Sequence, residues 1–204
     1  MLKGIEIGAY EIFMFFLISY HLKKKIKKLS EINSVVYYWA MMTILTGIWE
    51  LSFITHYTYV NSLSRQFIET KTHVWQSEYS LSYILPWKLA YIFYAEYGAY
   101  ADREYMTSKD DWSRVIEGTH ALFCAFFSLM CIYYKIKDNH GNYRSTLSVA
   151  MGSQLMNSIL YLMNYFIQCN DPENLNYNTS SFPTGTGLIN RPFMYVNVFW
   201  FVMP

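Results

Sequence analysis

Four side chains capable of acid, base or nucleophile chemistry recur along the apolar stretch Val115 to Tyr134. Glu117, His120, Cys124 and Ser128 follow one another at spacings of three, four and four residues, so a helix presents them on one face. An ionisable side chain inside a membrane span costs at least ~2.5 kcal/mol unless it faces a partner or a cavity. A carboxyl group in apolar surroundings can keep its proton at neutral pH and serve as an acid. Glu117 is therefore a candidate proton carrier; the alternative places it at the membrane interface, stabilised by the helix dipole.

A second acid, Glu50, lies in the apolar stretch from Ser34 to Tyr59. Its predicted helical face carries three more polar side chains: Thr43, Thr46 and Tyr57. This pattern predicts that Glu50 points into the protein. His56 falls off that face and near the end of the stretch, which favours an interfacial position over a pairing with Glu50.

Polar side chains also recur at helical spacing within residues 146–168. They are Gln154, Asn157, Tyr161, Asn164 and Gln168. Hydrocarbon cannot satisfy amide groups, so this stripe must face other helices or a polar pocket. For each of these residues, hydrogen bonding between helices and contact with a substrate stay equally open.

Five apolar segments carry these side chains and predict an all-α integral membrane protein, a bundle of five transmembrane helices in one domain over residues 1–204. The predicted spans cover residues 5–21, 34–59, 115–134, 146–168 and 192–204. The stretch 81–100 contains Pro86 and many Tyr and Trp residues, which favours an aromatic-rich lumenal or interfacial segment over a further span. The last segment stops at Pro204, too early to reach the other side of a membrane, which would fit a truncated chain.

The distribution of positive charge predicts the orientation of the bundle. Five lysines follow the first span: Lys23, Lys24, Lys25, Lys27 and Lys28. Since positive loops stay in the cytoplasm, the N-terminus is predicted to be lumenal. The lysines come after the apolar run and no small-residue cleavage site follows, so the first span is not a secretory signal. The lysine-free loop 169–191, with a glycosylation sequon at Asn178, fits the lumenal side.

Composition and residue spacing give no support for several other classes of function. The formal net charge of +1 gives no reason to expect a nucleic-acid partner. The three cysteines form no CxxC pair, so neither a disulfide framework nor a zinc site is indicated. The histidines form none of the clustered boxes that a di-iron desaturase needs. The TGTGLIN run lacks the strand and helix of a dinucleotide-binding loop.

Three separated patterns occur from residue 96 onward. The first comprises Glu96, Tyr97, Asp102, Tyr105 and Glu117. The second runs from Gln154 to Leu160 and Tyr161, and the third comprises Asn197, Trp200 and Pro204. In their order and spacing they resemble the emopamil-binding protein family, the sterol delta8-delta7 isomerases of the EXPERA superfamily. The resemblance covers roughly residues 34–204.

The resemblance implies an endoplasmic reticulum membrane enzyme of sterol biosynthesis that shifts a ring alkene by protonation and deprotonation through a carbocation, without cofactor or metal. It implies Glu117 and Glu50 as proton carriers, with three further site residues: His120 as relay, Trp200 as cation platform and Asn197 as polar anchor. It implies a substrate-binding set of Asp102, Tyr105, Gln154, Asn157 and Tyr161. The partners would be a sterol or related lipid, the membrane and, in a homodimer, a second copy of the chain.

The second predicted span departs from the family pattern. Family enzymes carry a His and, one turn later, a Glu, whereas Glu50 and Ile54 stand at these positions here, and His120 stands where a Thr is usual. A second function therefore stays open: a non-catalytic protein of the same superfamily that binds sterols, other lipids or cationic amphiphiles, as the sigma-2 receptor does. For Trp200, an ordinary place in an interfacial aromatic belt is the alternative.

Overall fold

The structure is a computed structural model that describes residues 1–101, 113–169 and 192–204, and it is mostly helical. The helices are Gly4–Lys25 (α1), Lys27–Ser30 (α2), Ser34–Thr55 (α3), Tyr57–Thr70 (α4), Pro86–Glu96 (α5), Gly118–Ile136 (α6), His140–Cys169 (α7) and Pro192–Val202 (α8). Two short strands are Leu2–Lys3 (β1) and Glu78–Tyr79 (β2). A 3₁₀ turn at Leu81–Ile84 precedes α5, and wider π-helical turns at Tyr97–Ala101 and Ser113–Glu117 follow α5 and precede α6.

Helix α3 lies at the centre of the bundle and packs against α6 and α5, while α7 packs against α6 and α8. Two glycines allow the close approach of α3 to α6. A Cβ atom at Gly47 would collide with the Cβ of Ala125, and a Cβ at Gly118 would collide with the side chain of Ile54. The small residues therefore set the distance between the two helices that carry Glu50 and His120.

The predicted second span is shorter in the structure than its sequence pattern indicates. Helix α3 begins after Asn33, whose side-chain oxygen accepts a hydrogen bond of 2.8 Å from the Val35 N–H, as helix-capping residues do. It ends at Thr55 because His56 leaves the helical conformation, with φ −118° and ψ 23°. Tyr57 therefore begins α4 and belongs to a different helix from Glu50.

Pro86 starts a helix and does not break one. It lies in the first turn of α5, where the missing N–H costs no hydrogen bond. Helix α5 has 11 residues and is ~16 Å long, too short to cross a bilayer. It is buried through Leu89, Ala90 and Ile92 and packs against α3 and α4.

The two ends of the bundle are closed by different contacts. At the N-terminal end of α1, strand β1 pairs antiparallel with β2, and the Gly4 N–H donates to the Ser77 carbonyl at 3.0 Å. At the other end, Lys28 pairs with Asp138 at 2.7 Å and Lys135 pairs with Glu31 at 3.0 Å. The hydrogen bond from Lys135 lowers the pKa of the Glu31 carboxyl. The two loops predicted to be cytoplasmic therefore lie at the same end.

Among the described residues, two helical stretches are long and apolar enough to cross a membrane: Gly4–Lys25 and Val115–Ile136. Large apolar side chains are exposed on the outer faces of the bundle, among them Phe13 (62%), Phe126 (56%) and Met156 (54%). Polar side chains are buried in its interior, including Glu11, Glu50, Ser128 and Gln154.

Candidate functional site

A cavity of about 350 Å³ lies between α1, α3, α5, α6, α7 and α8, a size typical of small-molecule sites. The structure brings all five predicted catalytic residues to this cavity: Glu50, Glu117, His120, Asn197 and Trp200. Three of the five predicted substrate-binding residues also line it: Gln154, Asn157 and Tyr161. The other two, Asp102 and Tyr105, lie outside the described residues. The side chains of Asn164 and Gln168 likewise lie outside the part that the structure describes.

The two carboxyl groups reach the cavity from neighbouring elements. Glu50 on α3 is 5% exposed, and its Oε1 accepts a hydrogen bond from the Tyr94 hydroxyl. Glu117, at the end of the π-helical turn before α6, accepts a hydrogen bond of 2.8 Å at Oε2 from the Asn157 side-chain amide. A Cβ at Gly118 would lie 3.9 Å from Glu50 Oε2, so the Glu50 carboxyl lies beside the residue that follows Glu117.

His120 is held in one orientation by α7. Its Nε2 lies 3.0 Å from the Ser153 carbonyl oxygen, which can only accept a hydrogen bond, so Nε2 carries the hydrogen. The Cys124 sulfur lies 3.2 Å from the same nitrogen. In a neutral ring this tautomer leaves Nδ1 as the nitrogen that can accept a proton, as a relay requires.

Both ends of the Gln154 amide are bonded to α3. Its Oε1 accepts from Trp39 Nε1 at 2.9 Å, and its Nε2 donates to Thr43 Oγ1 at 2.9 Å. Thr43 in turn donates to the Trp39 carbonyl at 3.0 Å. The Trp39 ring contacts Trp200 with a centroid distance of 4.7 Å and Phe199 with one of 5.2 Å. Gln154 therefore orients Trp39, and Trp39 supports the part of α8 that faces the cavity.

Aromatic rings form much of the remaining wall. Trp49 and Phe93 both line the cavity and contact each other at a centroid distance of 5.6 Å. Near them, the hydroxyls of Tyr97 and Tyr161 lie 3.3 Å apart and connect α7 to the end of α5. An apolar cavity with several ring faces can stabilise a cation, because each ring face is electron-rich.

Sequence reasoning did not assign a site role to Glu11 or Tyr94. Glu11 on α1 is 3% exposed, and its Oε1 accepts a hydrogen bond of 2.7 Å from Trp49 Nε1. An acid inside an apolar segment is a signal that could have identified Glu11. Tyr94 offered no comparable signal, because it is one of many tyrosines between residues 81 and 100.

Glu96, the first residue of the first pattern, lies away from the cavity. Its Oε1 lies 2.8 Å from His73 Nδ1, and its Oε2 accepts the Val74 N–H at 3.0 Å. Glu96 thus fixes the loop between α4 and β2. Its neighbour Tyr97 does line the cavity.

None of the family models, curated proteins or solved structures compared with the chain matches it. In the described ranges, no group of three or more His, Cys, Asp and Glu side chains is arranged to hold a metal ion. Within the described ranges, the fold is a helical bundle around a mainly apolar cavity, which is lined by the carboxyl groups of Glu50 and Glu117 and the imidazole of His120.

Proposed function

We propose that this protein is a membrane-embedded sterol double-bond isomerase, which shifts a ring alkene from the delta8 to the delta7 position. The observation that carries the proposal is the presence of Glu50 and Glu117 on one apolar cavity. The reaction adds a proton to one alkene carbon and removes a proton from a carbon next to the resulting cation. It therefore needs an acid and a base that reach the same substrate, and the net composition of the substrate does not change.

In the proposed mechanism, Glu117 and Glu50 are the proton carriers. The carboxylic acid gives its proton to one carbon of the alkene. The π electrons of the double bond form the new C–H bond, and the other carbon becomes a tertiary carbocation. The carboxylate takes the neighbouring proton, and the electrons of that C–H bond form the new alkene. His120 would return the proton between the two carboxyl groups by accepting it at Nδ1. Asn197, which lines the same cavity, would hold the polar end of the substrate.

The aromatic wall supplies the stabilisation that a carbocation needs. A cation over the face of an indole gains ~2 kcal/mol or more when water is excluded. Trp200 is the proposed platform, and its ring rests against Trp39. Trp49 and Phe93 are further rings on the same cavity.

The distribution of exposed side chains supports a membrane setting. Phe126 and Met156 are 56% and 54% exposed, whereas Glu50 and Gln154 are each 5% exposed. A bundle surrounded by water would expose its charged and amide groups and bury its large apolar ones. Helices α3 and α7, at ~33 Å and ~45 Å, have the length to cross a hydrocarbon core of ~30 Å. We propose five spans in the endoplasmic reticulum membrane with the N-terminus in the lumen, as the family resemblance and the lysine cluster after the first span predict.

The second candidate function is binding without catalysis, of a sterol, another lipid or a cationic amphiphile. It is favoured by Ile54, which stands where the isomerase family has its second-span Glu. Ile54 lies against Gly118 and leaves Glu50 as the carboxyl group that α3 brings to the cavity. Two carboxyl groups in an apolar cavity also suit a ligand amine.

Sterol conversion tests the proposed function directly. Cells that lack sterol delta8-delta7 isomerase and express this chain should convert delta8 sterols to delta7 sterols, as measured by mass spectrometry of extracted sterols. If the purified chain binds a cationic amphiphile but the cells accumulate delta8 sterol unchanged, the binding function replaces the catalytic one.

Replacing Glu117 by Gln tests the proton carrier. The amide keeps the shape of the side chain but has no transferable proton, so turnover should fall by ~10²–10⁴-fold, the usual contribution of general acid catalysis. Binding of neutral sterols should change little. The matched control is Glu69→Gln, because Glu69 is an exposed acid on α4. Equal conversion by wild type and Glu117→Gln would refute this assignment and make Glu50 the next residue to test.

A further inference from the structure

Three side chains that line the cavity are also exposed on the outside of the bundle. They are Ile12 on α1, which is 40% exposed, and Val196 and Phe199 on α8, which are 50% and 53% exposed. A side chain that faces both a cavity and the exterior marks a place where the wall is one side chain thick. The other large lining residues are more enclosed, such as Trp49 at 8% and Tyr94 at 5% exposed.

Helices α1 and α8 each contact α3. Glu11 on α1 accepts a hydrogen bond of 2.7 Å from Trp49 on α3. Phe199 on α8 contacts Trp39 on α3 at a centroid distance of 5.2 Å. Within the described ranges, α8 packs extensively against α7, and α1 and α8 are not an extensively packed pair. The thin part of the wall therefore coincides with a seam between two helices.

The rim of this seam is apolar. Ile12, Val196 and Phe199 offer no side-chain hydrogen-bond donor or acceptor, and their outward neighbours on the same helices include Phe16 and Val198, which are 37% and 52% exposed. A ligand with many polar groups would lose its hydration at this rim without compensation. A rigid apolar ligand loses nothing there, because it leaves one hydrocarbon environment for another.

We propose that the seam between α1 and α8 is a lateral portal, through which a sterol-like lipid passes between the membrane and the cavity, with Ile12, Val196 and Phe199 as the residues that control its width. The proposal rests on the proposed function, since a portal on this face serves a ligand that is dissolved in the membrane. In this proposal, these three side chains control how fast the ligand enters and leaves. The carboxyl groups deeper in the cavity determine the chemistry or the affinity.

Bulky substitutions at the rim test the portal. Val196→Trp and Ile12→Trp should narrow the seam and slow both association and dissociation by about tenfold, which corresponds to a barrier higher by ~1.4 kcal/mol. Both rate constants should fall together, because a narrower seam raises the barrier in both directions, whereas a mere loss of contacts inside the cavity would speed dissociation. The probe is dehydroergosterol, a fluorescent sterol, with the protein in lipid nanodiscs and the anisotropy of the directly excited sterol followed in time.

Matched controls lie on the same two helices. Val198→Trp and Ile18→Trp replace residues that are 52% and 53% exposed but are not among the cavity-lining residues, so both rate constants should equal those of wild type. Unchanged rates in Val196→Trp and Ile12→Trp, with sterol still bound, would overturn the portal and leave the proposed function intact. Slowing by all four variants alike would also overturn it. A wild-type protein that binds neither sterol nor cationic amphiphile would overturn the proposed function, and the portal with it.

Discussion

At the scale of single residues, two groups of polar side chains at the cavity and behind its wall differ in what they contact. Gln154 and Trp39 bond to each other and to Thr43 across α3 and α7, so they determine where neighbouring rings lie. Glu50 and Glu117 each accept a hydrogen bond from a further cavity residue, Tyr94 and Asn157 respectively, which fixes the carboxyl groups in the space that a ligand would share. Substitutions in the first group should lower the stability of the protein. Substitutions in the second group should change the chemistry at the site or the affinity for the ligand.

Replacing Gln154 by Leu tests the first group. The variant leaves the Trp39 indole N–H buried without its acceptor, and an unsatisfied buried donor costs about 1–3 kcal/mol. We expect a lower midpoint of thermal unfolding in detergent, with Gln66→Leu as the control because Gln66 is exposed on α4. Gln154→Leu with wild-type stability and abolished sterol affinity would show instead that Gln154 acts on the ligand.

At the scale of elements, the contact between α3 and α6 depends on two positions without a Cβ atom. Gly118 leaves room for the Ile54 side chain, and Gly47 leaves room for Ala125. This close packing brings Glu50 next to the turn that carries Glu117. A bulkier residue at either glycine would push the two helices apart, and the two carboxyl groups would move apart with them.

Gly118→Ala should therefore destabilise the protein by about 1–3 kcal/mol, the usual cost of overpacking, as measured by thermal unfolding. Gly152→Ala is the control, and it should stabilise the protein. A Cβ at Gly152 meets nothing within 4 Å, and Ala is the better helix former by ~0.5–1 kcal/mol. The Ile54→Ala change shortens the side chain that a Cβ at position 118 would meet. The double variant Gly118→Ala with Ile54→Ala should therefore lose less free energy of unfolding than the sum of the losses in the two single variants. If the losses of the two single variants simply add in the double variant, the contact with Ile54 is not the cause of the destabilisation by Gly118→Ala.

At the scale of the whole molecule, the two ends of the bundle differ in charge. The end with Lys28, Glu31, Lys135 and Asp138 is joined by ion pairs, and it also contains the three lysines in the last turn of α1. The opposite end is formed by β1, β2 and the loop that Glu96 fixes. The positive-inside rule therefore predicts a cytoplasmic position for the basic end of the proposed membrane bundle.

Glycosylation mapping tests this orientation. Asn178, which lies outside the described residues, should be modified, whereas a sequon introduced between Lys23 and Lys28 should not, because the modifying enzyme acts in the lumen. The readout is a mobility shift that an endoglycosidase reverses, and Asn178→Gln is the control that should remove the shift. Modification of the introduced site would reverse the proposed topology.

The sequence by itself determined the helical character of most of the chain and the inward direction of its central polar residues. Glu117, His120 and Cys124 line the cavity together because residues three and four apart share a helical face, and this periodicity depends on local geometry alone. Glu50 is only 5% exposed, as predicted for an acid within an apolar helix. Those inferences needed no knowledge of how the helices pack.

Only the tertiary structure decided which residues meet across helices. Tyr57 belongs to a different helix from Glu50 because α3 ends at Thr55, and Tyr94 reaches the Glu50 carboxyl because α5 packs against α3. The bond between Glu11 and Trp49 joins residues that are 38 positions apart. Such pairings depend on crossing angles and on small residues such as Gly47, and helical periodicity within one segment contains no information about either.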